Sequence, residues 1–109
     1  MIAERLLQLN DRHGTADVPV RVFAPQQDVR SWSCRYEILW PDGKRTADAH
    51  GVDSTQALLL ALQMIGAELY TSDHHKAGCL MWNKPGHGYG FPVTPNLRDQ
   101  LIGDDAKYL

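Results

Sequence analysis

The sequence predicts an α+β fold: an antiparallel meander of about four strands, with one long helix packed on one face. Three observations predict this fold class. The chain has 109 residues, 43% hydrophobic and 22% charged, which is typical of one globular domain covering residues 1–109. One segment alternates large apolar and polar residues, as a half-buried strand does. A later segment carries apolar residues at helical spacing.

The first part of the chain predicts two strands. Ile2–Leu9 is short and rich in apolar residues, which fits an edge strand or a helix turn, and we favour the strand. Val18–Ala24 alternates along its length and predicts a second strand, which Pro25 ends. Between them, Asn10–Asp17 is rich in Asn, Asp, Thr and Gly and therefore predicts a loop.

Ser31–Trp40 predicts the central strand. Large side chains that would share one face occupy every second position: Trp32, Cys34, Tyr36, Ile38 and Trp40. Each large side chain contributes about 1.5–3 kcal/mol when it is buried, so this face predicts the core. Pro41-Asp42-Gly43 then predicts a turn, and Lys44–Val52 predicts the strand that completes a β-hairpin.

A long helix is predicted over Asp53–Lys76. Asp53 is placed to cap the first N–H groups, and Gln56 follows at the spacing of a capping box. Gly78 is placed to end the helix. The apolar stripe at helical spacing consists of Leu58, Ala61, Leu62, Ile65 and Leu69.

This helix has more apolar surface than one contact with a sheet requires. The additional residues lie on either side of the main stripe and predict an interface: Leu59, Leu60, Met64 and Tyr70. Gly66 lies beside this set and predicts that another segment approaches closely, since glycine has no side chain. Either the C-terminal segment or another subunit must cover the surplus, so a homodimer is predicted.

The C-terminal part is rich in Gly and Pro. Cys79–Trp82 predicts a short strand, and Pro85–Pro92, with glycine at alternate positions, predicts an irregular loop. Asn96–Ile102 predicts a short helix that Gly103 ends. Asp104-Asp105 then predicts a solvated terminal pair.

Composition excludes several classes of protein. Eleven basic and 13 acidic residues give a net charge of -2, which excludes a strong electrostatic case for nucleic acid. The longest apolar run, Ala57–Leu62, is far shorter than the roughly 20 residues that span a bilayer. Glu4 and Arg5 interrupt the N-terminal apolar residues, so no export signal is predicted. A cytoplasmic protein with two free thiols is therefore expected, acting on neither membranes nor nucleic acid.

Four runs in the chain are familiar: RVFAPQQ, WSCRYEILWPDG, GVDSTQALLLALQMIGAELYTSDHHKAG and GYGFPVTPNLRDQLIGDD. Together they resemble a family of small uncharacterised bacterial proteins that is filed as a domain of unknown function. The resemblance extends from about Val20 to Asp105. It implies a single-domain bacterial protein without an assigned activity, and it carries over no catalytic or binding residue.

One candidate metal or nucleophilic site consists of His74, His75, Cys79 and His87. Imidazole and thiolate are preferred zinc ligands, and a thiolate beside a histidine is activated. The spacing matches no zinc motif, however, and adjacent histidines on a helix point about 100° apart. We therefore favour the alternative that the histidines are cations at a helix C-terminus.

The Gly-rich loop is a second candidate, in which four side chains would form a binding surface: Trp82, His87, Tyr89 and Phe91. Aromatic residues dominate protein interfaces, and loops often carry function. The structural alternative is that the glycines let the backbone pass close to the helix at Gly66. Phosphate binding is not expected, because Phe91-Pro92 follows the glycines where a phosphate loop needs a helix.

No catalytic residue and no cofactor is predicted, because the chain lacks paired carboxylates and a nucleophile elbow. The predicted function is a non-enzymatic protein-interaction or regulatory module that binds itself or another protein. One alternative is a small metal-binding protein or enzyme that uses the histidines and Cys79. The other is a small-ligand domain with a pocket between the helix and the C-terminal loop.

Overall fold

The computed structural model describes residues 1–109 and contains an antiparallel sheet of six strands. The strands are β1 (Ala3–Asp11), β2 (Gly14–Val22), β3 (Gln26–Gln27), β4 (Trp32–Trp40), β5 (Gly43–Gly51) and β6 (Leu80–Met81). The helices are α1 (Ser54–Tyr70), α2 (Asp73–Lys76), a 3-10 helix (Pro95–Gln100) and α3 (Gly103–Tyr108). The α+β class and the antiparallel sheet are therefore confirmed, whereas the expected number of about four strands is too low.

The sheet is organised around β4. Strand β5 pairs with one edge of β4, and β2 and the short β3 pair with the other edge. Strand β1 pairs with β2, and β6 adds two residues outside β1. Both long hairpins, β1–β2 and β4–β5, pair along their whole length.

The loop expected over Asn10–Asp17 is wrong for most of its length. The β1–β2 pairing continues from Ala3 opposite Val22 to Asp11 opposite Gly14, so only a tight turn separates the strands. Polar residues are compatible with these strand ends because the ends are largely exposed. The predicted loop is therefore too long at both ends, because residues typical of turns also occupy the ends of the two strands.

The expected helix over Asp53–Lys76 is two helices. Asp53 caps α1 as predicted, since its carboxylate accepts the Gln56 N–H at 2.7 Å and the Gln56 side chain accepts the Val52 N–H at 2.7 Å. The chain leaves the helix after Tyr70, and Ser72 adopts an extended conformation that caps α2 through the His75 N–H. The two helices are separate because Ser72 leaves the helical conformation to cap α2.

The core lies between the inner face of the sheet and α1. The predicted face of β4 is confirmed: Cys34, Tyr36 and Ile38 are buried, with Trp32 and Trp40 packed at the margin. The predicted helix stripe is confirmed for Ala61, Ile65 and Leu69, which are buried together with Ala57. The small alanines allow a close approach, and the predicted Leu58 and Leu62 lie half-buried on the flank.

The C-terminal segment also contributes to the core. Tyr89, Phe91 and Val93 are buried with the sheet and helix residues. Gly103 begins α3 and does not end the preceding helix, because its left-handed backbone (φ 56°) redirects the chain beside Gly86. No helix in the structure has both the length and the apolar character needed to cross a membrane.

Candidate functional site: the Asp105 carboxylate and the Arg5 cleft

The segment after β6 crosses α1 at Gly66. The Pro92 carbonyl lies so close that a Cβ on Gly66 would be 1.9 Å from its oxygen. The close approach predicted at Gly66 is therefore confirmed, and the approaching segment is the chain's own C-terminal part. This crossing places Tyr89–Phe91 between α1 and the inner face of β1.

Asp105 is buried at the end of this segment, with 2% of its surface exposed. Its carboxylate accepts hydrogen bonds from the N–H groups of Tyr89 and Gly90, each at 2.8 Å, and from the Tyr70 hydroxyl at 2.5 Å. The expectation of a solvated Asp104-Asp105 pair is thus wrong for Asp105. The α3 turn directs Asp105 inward, while Asp104 stays exposed.

Two tyrosines and a histidine form an aromatic cluster beside Asp105. The rings of Tyr70, Tyr89 and His75 contact one another, with centroids 4.9–5.5 Å apart. A hydrogen bond joins His75 Nδ1 to the Tyr89 hydroxyl. Burial raises the pKa of Tyr70 and, to about 12, the pKa of Tyr89, and it lowers the pKa of His75. All three side chains therefore favour their neutral forms in this cluster.

Arg5 lies on the opposite side of the same backbone. Its Nη1 donates to the carbonyl oxygens of Tyr89 at 3.1 Å and Gly90 at 2.9 Å. Its guanidinium stacks on Trp82, 3.9 Å from the ring centroid. Partial burial lowers the Arg5 pKa, and the Asp105 charge opposes that shift. Tyr89 and Gly90 are thus held from two sides: Arg5 bonds to their carbonyl oxygens, and the Asp105 carboxylate accepts hydrogen bonds from their N–H groups.

Arg5 also lines an open cleft of about 200 Å³. The cleft lies between strands β1 and β2, helix α1 and the C-terminal segment, and its apolar walls are Val20, Val22, Leu62, Phe91 and Pro92. Ala3 and Glu4 also line it, and the Glu4 carboxylate pairs with Arg21 at 2.7 Å. Nε and Nη2 of Arg5 bond to no protein acceptor, and both reach solvent. The cleft thus places apolar side chains beside the Arg5 guanidinium, whose Nε and Nη2 have no acceptor in the protein.

The structure separates the four candidate metal ligands. His74 packs on Trp40, His75 bonds to Tyr89, and His87 lies 3.6 Å from an Asp104 oxygen. The Cys79 thiol lies 3.7 Å from the Ala77 carbonyl oxygen and makes no hydrogen bond to a histidine. No three metal-ligating side chains come together anywhere in the chain.

The two other predicted sets lie partly inside the molecule. Of the loop residues, His87 is exposed and Trp82 half-exposed, whereas Tyr89 and Phe91 are buried in the core. Of the helix residues, Leu59 is 49% exposed, Leu60 and Met64 are half-buried, and Tyr70 is 1% exposed beneath the C-terminal segment. Tyr70 and Tyr89 therefore belong to the Asp105 cluster and not to an outer surface.

A family model described as a domain of unknown function, DUF6968, matches residues 3–93. The chain belongs to this family. No curated protein and no solved structure matches the sequence. The matched residues of this DUF6968 domain include Arg5, Tyr70, Tyr89 and the whole cleft, whereas Asp105 lies beyond them.

The buried tyrosines predict an alkaline limit to stability. A group whose folded pKa is raised stabilises the fold below its unfolded pKa, near 10 for tyrosine, and loses that contribution as the pH rises through the folded value. We therefore expect the free energy of unfolding to fall between about pH 10 and pH 12, the raised pKa of Tyr89. Denaturant titrations across this range measure it.

Two phenylalanine variants provide the control for this pH dependence. Tyr89→Phe removes a hydroxyl that ionises between about pH 10 and pH 12. The free energy of unfolding of this variant should therefore fall less steeply with pH than that of the wild type. Tyr108→Phe alters an exposed ring and should keep the wild-type slope. Equal slopes for wild type and Tyr89→Phe would contradict the prediction.

Proposed function

We propose that this DUF6968 domain is a non-enzymatic binding module that holds an apolar group carrying a carboxylate, presented by a partner protein. The observation that supports it is the cleft in which Arg5, with two free donor nitrogens, adjoins five apolar residues. An apolar side chain that leaves water for such a wall gains about 1.5–3 kcal/mol. A guanidinium pairs with a carboxylate through two parallel hydrogen bonds.

The size of the cleft favours a side chain from a protein. Pockets for drug-sized ligands measure about 300–1,000 Å³, whereas this cleft measures about 200 Å³ and is open to solvent. One apolar side chain fills such a space, and the rest of the partner protein that carries it remains outside. A free small acid, the ligand expected if the chain is a small-ligand domain, would have few further contacts.

The cleft also has better support than α1 as the site of contact. Stable interfaces bury about 800 Å² on each partner, and among the predicted helix residues only Leu59 is substantially exposed. The homodimer stays a prediction. Light scattering after size exclusion tests it, and a monomer at micromolar concentration would contradict it.

A titration with matched acyl amino acids tests the proposed function. N-acetyl-leucine carries both the apolar group and the carboxylate, whereas N-acetyl-leucinamide lacks the charge. At about 0.3 kcal/mol for each of roughly twelve non-hydrogen atoms, the acid should bind with a Kd on the order of millimolar. We expect the acid, and not the amide, to shift the backbone amide signals of Arg5, Gly90 and Phe91 in a ¹H–¹⁵N spectrum.

Two phenylalanine substitutions locate the binding. Ala3 lines the Arg5 cleft, so Ala3→Phe should abolish the shifts. Ala24 lines a separate polar cleft beside Arg35 and Asp48, so Ala24→Phe should leave them unchanged. Acetyl-Gly-Gly-Leu should bind more tightly than N-acetyl-leucine if the occupant is a protein segment. Equal affinities would favour a small acid, and no shift with any probe would refute the proposal.

A further inference from the structure

The donors around Asp105 come from parts of the chain outside α3. Oδ2 of Asp105 accepts hydrogen bonds from the Tyr70 hydroxyl on α1 and from the Tyr89 N–H, while Oδ1 accepts one from the Gly90 N–H. Three donors thus converge on two carboxylate oxygens. No cation bonds to the carboxylate directly, since the Arg5 hydrogen bonds go to carbonyls. The arrangement matches a small monoanion with two oxygens.

Elements outside α3 set most of the donor geometry, although the Asp104 N–H donates to the His87 carbonyl at 3.0 Å and the Ile102 N–H donates to the Tyr70 hydroxyl at 3.4 Å. Gly88 and Gly90 adopt left-handed conformations (φ 86° and 75°), and in this loop the N–H groups of Tyr89 and Gly90 both point at the Asp105 carboxylate. A Cβ on Gly88 would lie 2.4 Å from the Asp105 Cγ, so the site has no room for a side chain there. Arg5, on β1, holds the carbonyls of Tyr89 and Gly90. The donors are therefore positioned by β1, α1 and the Gly-rich loop.

Helix α3 is attached by the three hydrogen bonds to the Asp105 carboxylate and by the Asp104 N–H, which donates to the His87 carbonyl. It has six residues, of which only Asp105 is buried. It also lies beyond residues 3–93, which define the family match and contain every donor. The donor set and the carboxylate that fills it thus belong to separate parts of the chain.

We propose that the Tyr70 hydroxyl and the N–H groups of Tyr89 and Gly90 form a carboxylate-binding site in which Asp105 is an exchangeable internal ligand. A carboxylate from another molecule occupies the site when α3 lifts away. This site is distinct from the cleft, which lies on the Arg5 side of the same two residues. The inference therefore stands whether or not the cleft binds a partner.

Chemical rescue of Asp105→Ala in the full chain tests the site. The variant should melt at least 5 °C below the wild type, because three buried donors lose their acceptor. Sodium formate supplies the missing group, and at about ten times its Kd it should raise the melting temperature by roughly 5 °C or more over sodium chloride of equal ionic strength. The amide signals of Tyr89 and Gly90 should shift with formate.

Asp104→Ala is the matched control, because Asp104 is the exposed neighbour of Asp105. This variant should melt as the wild type does and should respond equally to formate and chloride. A formate effect of the same size in both alanine variants would overturn the site. The site would also be overturned if formate did not shift the amide signals of Tyr89 and Gly90 in Asp105→Ala.

Asp105→Asn keeps the inference testable if Asp105→Ala does not fold. The asparagine has nearly the same shape but turns an amide NH₂ toward one of the N–H donors, so it should melt about 5 °C or more below the wild type. It fills the site, so formate should not rescue it. An asparagine variant as stable as the wild type would show that the site does not select a carboxylate.

Hydrogen exchange in the wild type tests whether Asp105 is exchangeable. A ligand that binds only the opened form increases the population of that form. Formate should therefore accelerate amide exchange in α3 relative to chloride, while exchange in the middle of α1 stays unchanged. Equal α3 exchange rates in the two salts would overturn the exchange of Asp105 with an external carboxylate.

Discussion

Replacing Gly66 with alanine should destabilise the protein by about 2–4 kcal/mol. In an isolated helix the same change would stabilise by roughly 0.8–1 kcal/mol, since glycine is a poor helix former. Here the new methyl group would lie 1.9 Å from the Pro92 carbonyl oxygen and 3.1 Å from a Val93 methyl. The Pro92 contact is with backbone, so the whole C-terminal segment must move away from α1. Equilibrium denaturation with urea measures the loss.

Gly43→Ala is the matched control for this substitution. Gly43 begins β5, and a Cβ there would meet no atom within 4 Å. The same chemical change should therefore alter the free energy of unfolding by no more than about 0.5 kcal/mol. A Gly66→Ala variant as stable as the wild type would show that the segment does not pack tightly on α1 in solution.

Replacing Arg5 with methionine should cost about 2–4 kcal/mol. The guanidinium bonds to two carbonyl oxygens and stacks on Trp82, and methionine retains only the apolar part of the side chain. Two partly buried carbonyls would lose a charged donor, which is worth about 1.5–3 kcal/mol for a typical bond of this kind. The variant should also remove carboxylate binding in the cleft.

The control for Arg5→Met is Arg30→Met, at an exposed arginine whose side chain bonds to no other residue. It should change the free energy of unfolding by less than about 0.5 kcal/mol. Thermal and urea unfolding of the two variants give the comparison. Similar stabilities would mean that Arg5 does not hold the Tyr89 and Gly90 carbonyls.

Local patterns in the sequence predict most of the sheet and the start of α1. The alternation of Ser31–Trp40 identifies the central strand, and the Asp53–Gln56 spacing identifies the cap that the structure contains. The break between α1 and α2 was missed because His74, His75 and Lys76 fit the cationic last turn of a longer helix. Three polar residues, Thr71-Ser72-Asp73, separate them from the apolar part of α1, and a helix could also accommodate such residues.

The site could be predicted only in part. Gly66 and the alternate glycines indicated a close approach of two segments, and the structure contains one. Arg5 and Asp105 were missed because each acts through contacts with residues distant in sequence, and each resembles a solvated charge in its own segment. Asp105 can be recognised as a buried acceptor only from the three-dimensional structure, in which the N–H groups of Tyr89 and Gly90 point at its carboxylate.

The Arg5 contacts also bear on how the chain assembles during translation. Gly90 is 85 positions after Arg5, so at about 5–20 residues per second the ribosome makes its partner roughly 4–17 s later. The β1–β2 hairpin ends at Val22, so its residues are made well before Arg5 can meet the Gly90 carbonyl. The C-terminal segment therefore cannot close over α1 until residue 90 has been made, and a nascent chain that stalls before residue 90 leaves one end of its core uncovered.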